Sequence, residues 1–291
     1  MEIFHIPVLL NETLQYLNLN EGSIVIDCTV GEGGHSEEIL KRIGPSGFLF
    51  GIDQDSEALL KAKKRLSSIG SNFTLINDNF SRISEIRKQF GIPPADAIVA
   101  DLGISSLQLH LPYRGFSFMK EGPLDMRMNP NAPLTASDVV NGYSEKDLAD
   151  IIYTFGEERR SRQIAKAIVL YRKNKKIETT TELAGIIEKI YRYKRGAIHP
   201  ATKTFQALRI FINGELNNLK RFLGDAPDLL KAGGRIAVIS YHSLEDRLVK
   251  ESFKTDERLK RINKKVIRAT HEEILSNRRA RSAKLRVAER T

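Results

Sequence analysis

Short apolar runs rich in β-branched residues alternate with stretches of helical spacing over the first hundred residues. The run at 23–31, SIVIDCTVG, ends in glycine and predicts a first strand, followed by a short helix over 36–43. FLFGID at 48–53 predicts a second strand. The stretch 56–68, with apolar residues at 58, 59, 62 and 66, predicts a helix. FTLIND at 73–78 and ADAIVADLG at 95–103 predict two more strands, with a helix over 81–90 between them. Uninterrupted apolar strands alternating with helices imply a parallel sheet covered on both faces.

The alternation then stops. From 111 to 198 no segment has the character of a strand, and 116–133 is rich in Gly, Pro and Asn. Helices are expected over 144–155, 157–174 and 181–193. The first opens on SEKD, a capping serine with an acid three residues on. A helical stretch over 201–230 leads to a fifth strand, GGRIAVISYHS at 233–243, and then to a helix on SLEDRLVKESF. Segments 261–269 and 284–289 are expected to close the sheet as a pair of strands. The fold class is therefore α/β: a Rossmann-like, doubly wound core formed by 1–110 and 206–291, carrying an all-helical insertion over 111–205. No repeat or low-complexity linker interrupts it.

Composition adds a partner and a compartment. The 291-residue chain carries a net charge of +10. Residues 254–291 hold thirteen Lys or Arg against five Asp or Glu, so most of the excess lies in the tail. Clustered cations favour a polyanion, because each neutralised phosphate releases condensed counterions. The tail does not alternate as an amphipathic helix does, which ranks nucleic acid above an anionic membrane. One cysteine, Cys28, precludes an internal disulfide and points to the reducing cytoplasm. The N-terminal residues lack the pattern of a signal peptide, and no run is apolar enough to span a bilayer.

The candidate chemistry sits at strand ends. The first strand runs into Asp27-Cys-Thr-Val-Gly31-Glu-Gly33-Gly34-His35-Ser36. Glycine at such a turn permits close backbone approach to a ligand, and open α/β sheets bind ligands there. A dinucleotide fingerprint needs a third glycine, which is missing here. The looser D-x-x-x-G-x-G loop of methyltransferases is matched by Asp27, Gly31 and Gly33. Asp53 ends the second strand, placed to accept both hydroxyls of a ribose. Asn77, Asp78, Asn79 and Phe80 follow the third strand, with polar edges and an aromatic face for an adenine. Asp101 to Gln108 follow the fourth.

Nearly the whole chain resembles the bacterial 16S rRNA cytosine-N4 methyltransferase family, called RsmH or MraW. The segments that carry the likeness are HIPVLL, DCTVGEGGHS, GIDQD, DLGISSLQL, RGFSF, GPLDMRM, HPATKTFQALRI, ISYHSLEDR and RSAKLRVAER. The resemblance implies an S-adenosylmethionine-dependent enzyme, with cofactor contacts at Gly33, Gly34, His35, Asp53, Phe80, Asp101 and Gln108. It implies that the substrate is a cytidine in the decoding region of 16S rRNA, methylated at N4, and that the insertion helps recognise RNA. Glu121 and Lys203 depart from the family pattern with charge sign kept. His110 and Asn129 stand where it carries acids.

The residues themselves bear on the target atom. C5 methylation of a pyrimidine needs a cysteine nucleophile, and Cys28 lies in an apolar run where a buried role is expected. Amino methylation needs an acceptor that holds the NH2 group, and Asp101 is the candidate catalytic residue. The usual Asp/Asn-Pro-Pro-aromatic motif is absent, so the N4 assignment comes from the resemblance. His199 and His242 are candidates to contact a base or phosphate. No histidine pair has metal-ligand spacing, so no metal is expected. Arg192, Lys194 and Arg195, interleaved with Tyr191 and Tyr193, form a basic and aromatic cluster suited to single-stranded RNA. With His199, Lys203, Arg278, Arg279 and Arg281 they make up the expected RNA contacts, on rRNA or the small subunit. Three other readings compete: a methyltransferase for protein or small molecules, a non-catalytic RNA-binding assembly factor, and, more distantly, a nicotinamide dehydrogenase. The sequence does not specify an oligomeric state.

Overall fold

A computed structural model describes residues 7–191 and 199–291. In chain order the elements begin α1 (Leu10–Leu17), β1 (Ile24–Asp27), α2 (Gly34–Ile43), β2 (Phe48–Asp53), α3 (Ser56–Leu66), β3 (Phe73–Asn77), α4 (Ile83–Phe90) and β4 (Ala95–Asp101). Six helices follow: α5 (Ser106–His110), α6 (Ala136–Gly142), α7 (Glu145–Gly156), α8 (Ser161–Arg172), α9 (Thr180–Glu188) and α10 (Thr202–Ile212). The chain then forms α11 (Glu215–Asp225), β5 (Leu230–Ser240), α12 (Ser243–Thr255), β6 (Leu259–Arg261), α13 (His271–Ser276) and β7 (Lys284–Arg290).

Two compact units result, one of residues 1–103 with 216–291 and the other of 104–215. In the first, the strands lie in the order β3-β2-β1-β4-β5-β7-β6. β1 to β5 pair in parallel, while β7 runs antiparallel to both β5 and β6. Neighbouring residues of a strand enter opposite core layers. Val25, Val99, Ala237 and Ile239 join one layer, while Ile26, Ile98, Ile236 and Val238 join the other. Both faces are thus buried, which is why these strands read as unbroken apolar runs. The strand order reverses between β1 and β4, and the carboxyl ends of these two strands flank the crevice where a doubly wound sheet binds ligands.

In the second unit, Leu148, Ile151, Ile152, Ile164, Ile168, Leu183, Ile187 and Leu208 form the core at helical spacing. The Ser144 side chain accepts from the Asp147 amide, as a capping serine does. Reciprocal capping boxes open α6 at Thr135 and α9 at Thr179.

Several boundaries differ from the sequence expectation. The helix expected from 157 starts at Ser161, because Glu157 adopts a left-handed conformation (φ 49°) that ends α7. The helix expected over 201–230 is broken at Gly214 into α10 and α11, and a 3₁₀ turn over Ala226–Leu229 contains Pro227. The fifth strand ends at Ser240 rather than 243, since His242 caps α12. Of the segment 261–269, Arg261 alone belongs to the ladder of β6, and Ile267 makes a single bridge to Leu285. Helices α1, α5, α6 and α13 had no counterpart in the expectation.

Candidate active site

The site is built at the carboxyl ends of β1, β2 and β4. β1 ends at Asp27, which is buried and level with Gly51 of β2 and Val99 of β4. Its carboxylate accepts from the Ser36 hydroxyl at 2.6 Å and from the Thr29 amide at 3.0 Å. Burial pushes its pKa up, against the pull of those two donors. Cys28 lies just beyond the strand, not inside it. It is fully buried, and burial followed by the Asp27 charge raises its thiol pKa well above the ordinary value.

The chain then turns through the glycines. Gly33, at φ +83°, is the N-cap of α2. A Cβ on Gly34 would meet the Pro7 side chain at 2.6 Å, so the segment before α1 packs directly on this turn. His35 is buried in the first turn of α2. Its Nε2 lies 3.0 Å from the Val8 carbonyl, an acceptor only, so Nε2 carries the hydrogen and Nδ1 the lone pair. Burial lowers the His35 pKa, so the neutral ring is favoured.

Asp53, at the end of β2, accepts from the Gly31 amide at 2.7 Å through Oδ2 and from the Asp55 amide at 2.9 Å through Oδ1. Each oxygen keeps a lone pair for a further donor, the arrangement that two adjacent ribose hydroxyls require. Desolvation raises its pKa to about 6, with the Asp55 and Asp27 charges adding to it. Phe80, half-buried after β3, packs edge-on to Phe222 with ring centroids 5.3 Å apart. Asn79 caps the turn that carries Phe80 and donates to Gln54 Oε1 at 2.9 Å.

Asp101 ends β4. Its amide donates to Thr29 Oγ1 at 2.6 Å, and Oδ1 accepts from the Tyr241 hydroxyl at 2.8 Å. Oδ2 lies 3.8 Å from His35 Nδ1. Burial pushes the Asp101 pKa to about 7, with Tyr241 and Arg279 acting in the opposite sense. Three buried or half-buried carboxylates thus lie around the glycine turn, and the charged groups that act most on Asp27 and Asp53 are His35 and other carboxylates. A cofactor that carries a ribose and a positive charge but no phosphate fits this lining better than a dinucleotide does.

Among the other expected residues, Gln108 belongs to the second unit. It is buried and closes the capping box of α5, with Oε1 accepting from the Ser105 amide at 3.1 Å. His199 stacks on Phe118 at 4.5 Å. Its Nε2 pairs with Glu188 at 2.6 Å and its Nδ1 accepts from the Ala201 amide. Lys203 is exposed and donates to the Glu157 carbonyl that ends α7. Arg192, Lys194 and Arg195 lie outside the described residues. Arg278 and Arg281 are exposed on a 3₁₀ turn, whereas Arg279 is half-buried and its charge acts on Asp101. Elsewhere in the tail, Lys284 and Arg286 of β7 both pair with Asp246. His242 caps α12 rather than standing open in a loop, and its Nε2 lies 3.2 Å from Glu245 without hydrogen-bond alignment.

The sequence does not single out Tyr241, Thr29 or Ser36, and it matches Asp27 to the methyltransferase loop without giving its side chain a partner. The spacing D-x-x-x-G-x-G was the available signal for Asp27. For Tyr241 there was none, since its partner is 140 residues away.

Comparison with known proteins places the chain among methylases. It is 48% identical over 309 residues to ribosomal RNA small subunit methyltransferase H of Carboxydothermus hydrogenoformans, covering 100% of this chain and 99% of that one. The enzyme of the same name from Dictyoglomus thermophilum is 48% identical over 292 residues, covering 100% and 98%. The crystal structure of an rRNA methylase from Streptococcus thermophilus superposes with a TM-score of 0.47 at 14% identity, covering 99% of each chain. The model of the MraW methylase family matches residues 2–291, and this chain belongs to that family.

Proposed function

We propose that the protein transfers a methyl group from S-adenosylmethionine to the N4 amino group of a cytidine in the decoding region of 16S rRNA. The observation that carries the reading is the ring of strand-end carboxylates around the glycine turn, Asp27, Asp53 and Asp101. Family membership and the names of the relatives support rRNA as the substrate class. When bound, the cofactor supplies an electrophilic methyl group on a sulfonium. The protein's contribution is then mainly alignment, and proximity of this kind supplies about 7–11 kcal/mol of a barrier.

In this reading the turn at Gly33, Gly34 and His35 brings backbone close to the cofactor, Asp53 accepts its ribose hydroxyls and Phe80 flanks its adenine. Asp101 Oδ2 would accept a hydrogen bond from the target amine, turn the nitrogen lone pair toward the methyl and take the proton released as the N–C bond forms and the S–C bond breaks, the neutral thioether leaving. A carboxyl whose pKa lies near 7 suits that proton transfer. Cys28 takes no part, because its buried thiol stays protonated.

RNA is held in this reading by exposed cations, among them Lys203, Arg278 and Arg281, together with Arg192, Lys194 and Arg195. His199 orders the loop that it stacks on. No metal takes part, and the reaction belongs to the cytoplasm. No helix among the described residues is long and apolar enough to cross a membrane. The test is mass spectrometry of small-subunit rRNA nucleosides after incubation with protein and cofactor. N4-methylcytidine is the expected product; 5-methylcytidine, or no methylated nucleoside, would overturn the reading.

A further inference from the structure

We propose that Tyr241 is a positioning residue for the methyl transfer: its hydroxyl fixes Oδ1 of Asp101, leaving Oδ2 to receive the amine proton. The proposal rests on the reading of Asp101 given above.

The geometry gives Tyr241 little freedom. Its backbone amide donates to Glu245 Oε2 at 2.9 Å, within the capping box that opens α12. Its ring lies against Gly103, where an added Cβ would meet it at 3.4 Å, and Gly103 itself has a φ of +93°. Its hydroxyl then reaches Asp101 Oδ1 at 2.8 Å. Backbone, ring and hydroxyl are each held, so the bond to Asp101 forms without reorganisation at the moment of reaction. From the other side, Thr29 Oγ1 holds the Asp101 amide. The main chain of Asp101 and its Oδ1 are thereby held, and Oδ2 lies 3.8 Å from Nδ1 of His35, the nitrogen without a hydrogen. A proton gained by Oδ2 lies opposite a basic nitrogen.

Other charges face Asp101 besides the Tyr241 hydroxyl. Arg279 lies on the tail, Glu245 on α12, Asp27 at the end of β1 and His35 on α2. Arg279 favours the ionised carboxyl, whereas Glu245 and Asp27 oppose it. Tyr241 can donate to Oδ1 in either protonation state but does so more strongly to the ionised form, and its removal leaves the opposing charges in place.

The experiment follows kcat against pH for wild type and Tyr241→Phe, with small ribosomal subunits and saturating cofactor. The acid limb moves up by about one pH unit, and the rate below it falls roughly tenfold. Incorporation of 3-fluorotyrosine at position 241 keeps ring and hydroxyl but donates more strongly, and it moves the limb down. A second readout needs neither substrate nor cofactor: the Asp101 carboxyl is titrated by infrared difference spectroscopy, wild type minus Asp101→Asn. Its midpoint rises in Tyr241→Phe. A limb that stays in place in either variant overturns the proposal whatever the loss of rate, and so does an unmoved carboxyl titration. Failure of the wild type to make N4-methylcytidine would overturn the functional reading instead, and the infrared arm would still decide the bond.

Discussion

The helices of the second unit and the strand ends of the first treat buried charge in opposite ways. In the second, guanidinium groups are matched to acceptors. Arg114 donates to the carbonyls of Arg127 and Met128, Arg172 to those of Val140 and Tyr143, and Arg209 donates from Nε and Nη2 to the two carboxylate oxygens of Glu215. These bonds tie loops and helix ends together. In the first unit, Asp27, Asp53 and Asp101 are held by amide and hydroxyl donors, and their pKa values are pushed up. Charge that is fully answered builds structure, whereas charge oriented but under-compensated is available to a ligand.

The comparison breaks most sharply at Asp101. Asp101→Asn is expected to lower kcat by about 10²–10⁴-fold, the range of a lost proton acceptor. The same change should stabilise the protein without cofactor. The Asp101 pKa rises from an ordinary 3.8 to about 7, so the folded state holds the proton more tightly than the unfolded chain. Its contribution is complete below pH 4 and is lost as pH rises through 7. Thermal melts should therefore show a gain of up to about 4 kcal/mol for Asp101→Asn at pH 8 and little difference at pH 4. A destabilised variant at pH 8 would mean that this carboxylate is as well compensated as the arginines of the second unit.

Asp53 comes next. Asp53→Ala should weaken S-adenosylmethionine binding by about one to two orders of magnitude, as hydrogen bonds to a charged group are lost. Lys203→Ala, in the second unit, should shift that affinity less than about threefold, the scale of a surface change. Calorimetry on both variants measures the contrast, and equal losses would erase it.

How far the sequence carried differs between the units for a physical reason. Strands β1 to β5 lie between two apolar layers, so their runs stand out without reference to any partner. Helices α6 and α13 are short and take their form from caps at Thr135 and Thr270, which resemble ordinary loop residues in sequence. In the site, the glycine turn and Asp53 sit at strand ends that local pattern locates. Tyr241 reads as one more residue of an apolar strand, and its role depends on a hydroxyl reaching β4 from the far side of the insertion. Adjacent arginines look alike in sequence, so nothing there separates Arg279 from Arg278 and Arg281. A 3₁₀ turn leaves Arg278 and Arg281 exposed while Arg279 is half-buried, with its charge acting on Asp101.

That difference within the tail can be measured. Paired Arg278→Ala and Arg281→Ala should lower the slope of log RNA affinity against log salt by about 0.7–0.9 per lost phosphate contact and leave cofactor affinity unchanged. Arg279→Ala should instead raise the Asp101 midpoint, because a cation that favours its ionised form is gone. If all three arginines alter the salt slope alike, the division fails. The smallest effect is expected at Cys28. Cys28→Ser should keep kcat within about twofold and cost about 1 kcal/mol of stability, as for a small buried group made more polar. Loss of turnover in a folded, cofactor-binding variant would revive a covalent mechanism.

Strands β4 and β5 are neighbours in the sheet, yet the whole helical unit lies between them in sequence. For a folding chain this is a long wait. Closing a flexible loop grows more costly by about 0.6 kcal/mol with each doubling of its length, and distant strand pairings form slowly. The helices of 104–215 draw on contacts close in sequence, such as those of α7 with α8 and α8 with α9, and form sooner. Once compact, they shorten the search that brings β5 to β4. Until then the edge of β4 is unpaired and open to association with other chains, so the insertion also acts as the clock that limits how long the nascent sheet is exposed.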